Sequence, residues 1–229
     1  MTGVILQVRL DSSRMPGKAL LTIGRRTVVE HVMLRLKRVT TDAHLLACDP
    51  SSSDILAPLA RNAGFVLFVG SREDVLSRYV AAAQNIGITT VVRATGDNPL
   101  VAPEFADLSL ESHRAAGADH TIVTGLPIGT GVEIVETSAL VRANRESDST
   151  YDHEHVTPYV YSHPELFRLN RVPAGLGATA AGARVTLDTL SDYRRLLRIY
   201  RETGEGAELP AFDTLRMWLE AHPTEGTSA

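Results

Sequence analysis

Gly3-Val4-Ile5-Leu6-Gln7-Val8 runs directly into Arg9-Leu10-Asp11-Ser12-Ser13-Arg14-Met15-Pro16-Gly17-Lys18, and this pair of segments decides how the chain is read. The first is a short apolar run of the kind that forms a buried strand. The second puts three cations, Arg9, Arg14 and Lys18, on a loop with two serines, a proline and a glycine. Like charges crowded on a loop leaving a buried strand repel one another unless something anionic sits among them. Serine hydroxyls, freed backbone N–H groups and a Lys/Arg set are the donors a polyphosphate requires. The loop therefore reads as a triphosphate cradle.

It is not one of the common phosphate loops. In the pattern G-x-x-x-x-G-K-[ST], Gly17-Lys18 fits, but Ser12 stands at the first glycine and Ala19 at the metal-binding hydroxyl. A dinucleotide G-x-G-x-x-G needs glycines that this loop lacks.

Outward from the loop, Thr27 to Thr40 has apolar residues at helical spacing, and Thr27 with Glu30 forms a capping-box pattern. Predicted strands at His44–Cys48, Phe65–Val69 and Thr89–Ala94 alternate with predicted helices at Asp54–Asn62, from Ser71 to about Gln84, and from Pro103 to about Ala116. Short loops and strict alternation predict an α/β chain with a mostly parallel central sheet and helices on both faces. In such sheets ligands bind beyond the carboxyl ends of the strands. The first-strand loop and Thr95-Gly96-Asp97-Asn98-Pro99 should then face one crevice. Further on, strands are expected at Asp119–Thr124, Val132–Val135 and Arg184–Asp188, and a long helix beginning near Ser191 should bury Tyr193, Leu196, Leu197 and Tyr200. The last dozen residues or so look frayed. One domain over 1–229 is expected, with an acceptor-binding or dimerisation subdomain at 125–182.

The 229 residues carry a formal net charge of −4, which argues against a general nucleic-acid binder. A single cysteine, Cys48, excludes an intramolecular disulfide and fits a reducing cytoplasm. No apolar stretch of about 20 residues predicts a membrane span.

The whole pattern R-x-D-S-S-R-M-P-G-K after an N-terminal strand resembles the signature of cytidylyltransferases that make CMP-sugars. It is most similar to the spore-coat polysaccharide, SpsF-like branch, related to the acylneuraminate and 3-deoxy-manno-octulosonate cytidylyltransferases. The resemblance implies a Rossmann-like nucleotidyltransferase (GT-A-like) fold. It also implies transfer of CMP from CTP to an acidic sugar or related small molecule, with Mg²⁺ as cofactor, pyrophosphate as product and a homodimer as the common state. Leu6, Gln7, Arg9, Ser12, Ser13, Arg14, Gly17, Lys18 and Asp97 would then contact the nucleotide. Arg14 and Lys18 would act on the triphosphate, Lys18 at the α-phosphate and leaving group.

Asp97 in T-G-D-N-P-L and Asp188 in V-T-L-D-T match the two metal-binding elements of the family, with Leu187 in place of the commoner valine. Mg²⁺ prefers one or two carboxylates plus phosphate oxygens. The bland alternatives are a turn cap for Asp97 and a helix-dipole partner for Asp188, although Thr189-x-x-Asp192 already supplies a capping box there. The family also implies a serine near the base, here Ser71. Helix capping in Ser71-x-x-Asp74 explains that serine equally, and an i, i+4 pair with Asp74 explains Arg78. H-E-H-V-T-P-Y-V-Y resembles a family element R-E-H-V-T-P-Y, with His153 in place of Arg. It implies that His155 and Thr157, together with Glu133, line the acceptor pocket. His153 and His155 form a poor zinc set without a second cysteine.

Three rivals stand beside this reading. One is a relative using another NTP, or an acceptor bearing phosphate or phosphonate. Another is a glycosyltransferase, whose usual D-x-D triplet does not occur in the chain. The third is a non-catalytic nucleotide-binding module, in which loss of Lys18 or an acidic ligand would be expected.

Overall fold

The computed structural model describes residues 1–12, 14–204 and 210–223. Strand β1 (Thr2–Val8) forms from the apolar run, and its alternate residues serve two cores. The loop that follows turns back at Gly17, whose φ of 71° lies in the left-handed region, and the Gly17 N–H donates to the Leu10 carbonyl at 2.7 Å. A small hairpin of β2 (Thr22–Ile23) and β3 (Arg26–Thr27) leads into α1 (Val28–Leu36). That helix starts at the predicted capping box, with the Glu30 carboxylate accepting from the Thr27 N–H at 2.7 Å. The alternation continues through β4 (Ala43–Cys48), α2 (Ser53–Asn62), β5 (Val66–Val69), α3 (Val75–Ile86), β6 (Thr90–Thr95) and α4 (Pro103–Ala116). Then come β7 (His120–Thr124), β8 (Glu133–Glu136), α5 (Thr137–Glu146) and two short helices, α6 (Thr150–His155) and α7 (Pro158–Ser162). The described chain closes with β9 (Leu169–Pro173), α8 (Ala178–Ala181), α9 (Leu190–Thr203) and α10 (Phe212–Ala221).

The main sheet has the order β5-β4-β1-β6-β8-β7-β9, with β8 antiparallel to both neighbours and every other pair parallel. On one face Val4, Leu6 and Val8 pack with Val29, Met33, Leu56 and Leu110 from α1, α2 and α4. On the other, Ile5 packs with Leu76, Tyr79 and Leu140 from α3 and α5. A third cluster joins Leu187, Leu196, Ile199, Phe212 and Trp218 around α9 and α10. No helix among the described residues is long and apolar enough to cross a membrane.

Four local expectations are corrected. Arg184–Asp188 is not a strand. Its N–H groups reach two different loops, Val185 donating to the Ile128 carbonyl (2.7 Å) and Leu187 to the Asp97 carbonyl (3.0 Å), so no ladder forms. Its apolar alternation instead feeds the third cluster. Helix α3 is capped not by Ser71 but by Asp74, whose carboxylate accepts from the Ser77 N–H at 2.8 Å. In α9, Leu196 and Ile199 are the buried pair, Tyr193 and Tyr200 are only partly buried, and Leu197 is exposed. The chain also forms α10 at Phe212–Ala221, where Leu215, Trp218 and Leu219 are buried one turn apart.

Candidate active site

A cleft of about 350 Å³ opens at the carboxyl ends of the parallel strands, where the β1 loop and the segment after β6 meet as expected. At its floor the Lys18 ammonium donates to Asp97 Oδ2 (2.7 Å), to Asp188 Oδ1 (3.0 Å) and to the Leu187 carbonyl (2.7 Å). The Leu187 N–H bond to the Asp97 carbonyl ties the two loops together, which is why carboxylates ninety-one positions apart converge. Arg14 Nη2 and Arg184 Nη2 also pair with Asp188, at 2.9 and 2.7 Å. Burial tends to raise the Asp188 carboxyl, but hydrogen bonds from Lys18 and Arg184 outweigh it and hold the group below its ordinary value.

Two carboxylates and a carbonyl thus converge on one cation, here the lysine's own ammonium. Hard oxygen donors in this arrangement fit a small divalent ion that completes its shell with phosphate oxygens and water. Among the described residues no group of three or more His, Cys, Asp or Glu gathers into a metal set, here or elsewhere, so the protein would supply two carboxylates and leave the other positions to phosphate and water.

Gln7, Arg9, Ser12, Arg14, Lys18 and Asp97 all line this cleft. Arg9 faces Glu154 at 3.6 Å across its mouth. Gly17 makes the bend that delivers Lys18. Leu6 is fully buried in the core, and Ser13 lies outside the described residues. Ser71 does not line the cleft: it is exposed, and its hydroxyl accepts from the Asp74 N–H at 3.1 Å. Arg78 does not pair with Asp74. It is 2% exposed, lines the cleft and donates through Nη1 to the Ser71 carbonyl at 2.6 Å. The Asp74 carboxylate is instead engaged by its cap and by His153 Nδ1 at 2.9 Å.

Arg93, which no motif singled out as part of the site, also lines it, as do Thr95 and Asn98 of the segment after β6 and Thr186 of V-T-L-D-T. The available signal for Arg93 was a lone arginine inside an apolar strand. Arg93 leads out of the cleft, because a neighbouring cavity of about 280 Å³ shares Arg93, Thr95 and Asn98 with it and extends to Glu133. A further cavity of about 290 Å³ shares Ile122 and Glu133 and reaches His120 and Tyr161. Glu133 accepts from Arg93 Nη1 at 2.5 Å and pairs with His120 Nε2 at 2.9 Å. Burial pushes this carboxyl up, but the Arg93 charge and hydrogen bonds from His120 and Thr157 bring it down to about 2.

Thr157 is buried beneath Glu133 rather than open to a ligand. His155 lines the main cleft, its ring 4.3 Å from that of Tyr151. Between His155 and Thr157, Val156 has φ 78°, strained for a β-branched residue, and this turn redirects the chain from α6 into α7. His153 is held between Asp74 and the Ser147 carbonyl, and those contacts raise its pKa. Both ring nitrogens are engaged, which leaves the ring poorly placed for zinc.

The sequence model of a family described as cytidylyltransferase matches residues 3–204. The chain is 30% identical to the spore coat polysaccharide biosynthesis protein SpsF of Bacillus subtilis (strain 168) over 230 residues, covering 97% of this chain and 95% of that protein. A cytidylyltransferase from Leptospira borgpetersenii serovar Hardjo-bovis has a similar structure, with a TM-score of 0.87 at 24% identity, covering 100% of this chain and 97% of that one. CMP:2-keto-3-deoxy-manno-octonic acid synthetase complexed with CTP shares the fold at a TM-score of 0.67 and 15% identity, covering 87% and 98%. The β1 loop and the two converging aspartates lie inside the matched span, and so does all of the sheet but Thr2. The chain belongs to the cytidylyltransferase family, on its SpsF-like branch, and is a nucleotidyltransferase.

Proposed function

We propose that this enzyme transfers CMP from CTP to an acidic sugar or related small acceptor, with Mg²⁺ as cofactor and pyrophosphate as the second product. The observation that carries this is the Lys18 ammonium held between Asp97 and Asp188 on the cleft floor. A cation flanked by two carboxylates beside a basic loop is arranged to exchange partners when an anionic nucleotide and its metal arrive.

In the reaction the acceptor hydroxyl gives up its proton to solvent water, and its oxygen forms a bond to the α-phosphorus in line. The bond from that phosphorus to the bridging oxygen breaks, and pyrophosphate departs with the electron pair. Arg9, Ser12 and Arg14 hold the triphosphate, and Lys18 turns from the carboxylates to the α-phosphate and leaving group, where charge develops. Asp97 and Asp188, released by Lys18, would hold Mg²⁺. When bound, Mg²⁺ neutralises phosphate charge and acidifies the acceptor hydroxyl. Arg93 and Glu133 form a polar floor on the acceptor side, with Glu133 kept ionised as an acceptor for hydroxyl groups. His155 lines the cleft itself, and Thr157 acts through Glu133.

A pyrophosphate-release screen of the four NTPs against acidic sugars, sugar phosphates and phosphonates tests the proposal. CTP with an acidic sugar should give the highest turnover. A preference for another NTP would remove cytidylyl transfer, and turnover only with phosphate- or phosphonate-bearing acceptors would change the acceptor class.

A further inference from the structure

Among the described residues, Arg78 is a buried charge with no ion-pair partner. Its side chain passes over Gly70, where a Cβ would lie 2.8 Å from Arg78 Cγ, so the site depends on the glycine's missing side chain. Nη1 is fixed by the Ser71 carbonyl, and Nε has no hydrogen-bond partner among the described residues. The Asp49 carboxylate, whose charge Arg78 feels, is already taken up by Ser51 and Ser52. A guanidinium removed from water with open donors is costly unless a ligand completes it.

Its position says which ligand. Gly70 bonds to the Cys48 carbonyl, so Arg78 sits over the ends of β4 and β5, on the opposite side of β1 from Asp97. The acceptor-side cavity lies beyond β6, toward β8. A nucleotide whose α-phosphate lies at Lys18 must therefore extend its base toward Arg78, where Val8 and Val75 supply apolar walls for a flat ring.

We propose that Arg78 reads the base, its free guanidinium donors meeting O2 and N3 of cytosine. Both atoms are acceptors in cytosine, whereas N3 of uracil carries a hydrogen and would oppose the guanidinium donor to donor. A site built to hydrogen-bond one pattern rejects the other because its own buried donors are left unpaired. The inference rests on CTP being the donor substrate and adds the residue that selects it.

The test uses CTP, UTP and 3-deaza-CTP, in which a C–H replaces N3. For the wild-type enzyme, kcat/KM with 3-deaza-CTP should fall on the order of 10-fold or more below that with CTP. Arg78→Met and Arg78→Lys should both lose most CTP turnover and bring the CTP/3-deaza-CTP and CTP/UTP ratios close to one. Equal use of CTP and 3-deaza-CTP by the wild type overturns the proposal without recourse to any variant. So do folded variants that lose turnover but keep both ratios, because Arg78 would then only support the Ser71 loop. Preference of the wild type for an NTP other than CTP is a separate result, which removes the donor assignment and this inference with it.

Discussion

Glu133 shows at a single residue how a charge is kept inside this fold. Burial alone would raise its carboxyl, yet Arg93, His120 and Thr157 lower it from an ordinary 4.5 to about 2. Because the folded value is depressed, ionised Glu133 stabilises the protein above the ordinary carboxylate range. That contribution is lost as pH falls from about 4.5 towards 2. Glu133→Gln keeps the volume but strips Arg93 of its counter-charge, and should cost about 3 kcal/mol at neutral pH. The same variant should flatten the acid limb of stability, which urea titrations between pH 2 and 7 would reveal. An unchanged acid limb would mean that Glu133 is not the group responsible. The pair was not legible beforehand, since Arg93 and Glu133 are forty positions apart and meet only because β6 and β8 align them directly opposite.

At the scale of elements, two capping boxes do the same local work and serve different ends. In α1, Glu30 accepts from the Thr27 N–H; in α9, Asp192 accepts from Thr189 N–H (2.7 Å) and also from Asp188 N–H (3.0 Å). Glu30→Ala and Asp192→Ala should each cost about 1 kcal/mol, the scale of a lost cap. Only Asp192→Ala should also raise the Mg²⁺ concentration needed for half-maximal rate, because it frees the backbone that positions Asp188. Equal Mg²⁺ requirements in the two variants would confine Asp192 to capping. Both boxes were legible as sequence patterns. The start of α3 was not, because Ser71 and Asp74 are both good caps, and Asp74 also has His153 to hold it in place.

For the whole molecule, the two ends of the chain meet at Lys18. Arg9, Arg14, Lys18, Arg78 and Arg93 line the cleft against Asp97, Glu154 and Asp188, so cations outnumber carboxylates. A bare divalent ion should bind weakly there, whereas nucleotide and metal together should be drawn in. Calorimetry should detect Mg²⁺ binding to the wild type only with a non-hydrolysable CTP analogue. Lys18→Ala should bind bare Mg²⁺ more tightly while losing at least ~100-fold in turnover. Asp97→Asn and Asp188→Asn should each lower turnover by orders of magnitude and raise the Mg²⁺ requirement. The double variant should be scarcely worse than the worse single, as groups acting on one ion are not additive. Full activity of Asp188→Asn at ordinary Mg²⁺ would leave Asp97 as the only supported carboxylate ligand.

The sequence by itself determined the alternation, the strand–loop unit from Gly3 to Lys18 and the identity of the two aspartates. Each of these is local: a hydrophobic period, a turn chemistry or a short motif is complete within ten or so residues. Only the tertiary structure decided that Leu187 bonds back to the Asp97 loop, so that Lys18 lies between both carboxylates. It likewise decided that V-T-L-D is an irregular tie rather than a strand, since burial against α9 and α10 leaves the same alternation as a sheet would. Arg78 belongs to this second class. Four residues after Asp74 it has the spacing of an ordinary surface ion pair, and only the packing of α3 against Gly70 turns it inward as a buried guanidinium at the cleft.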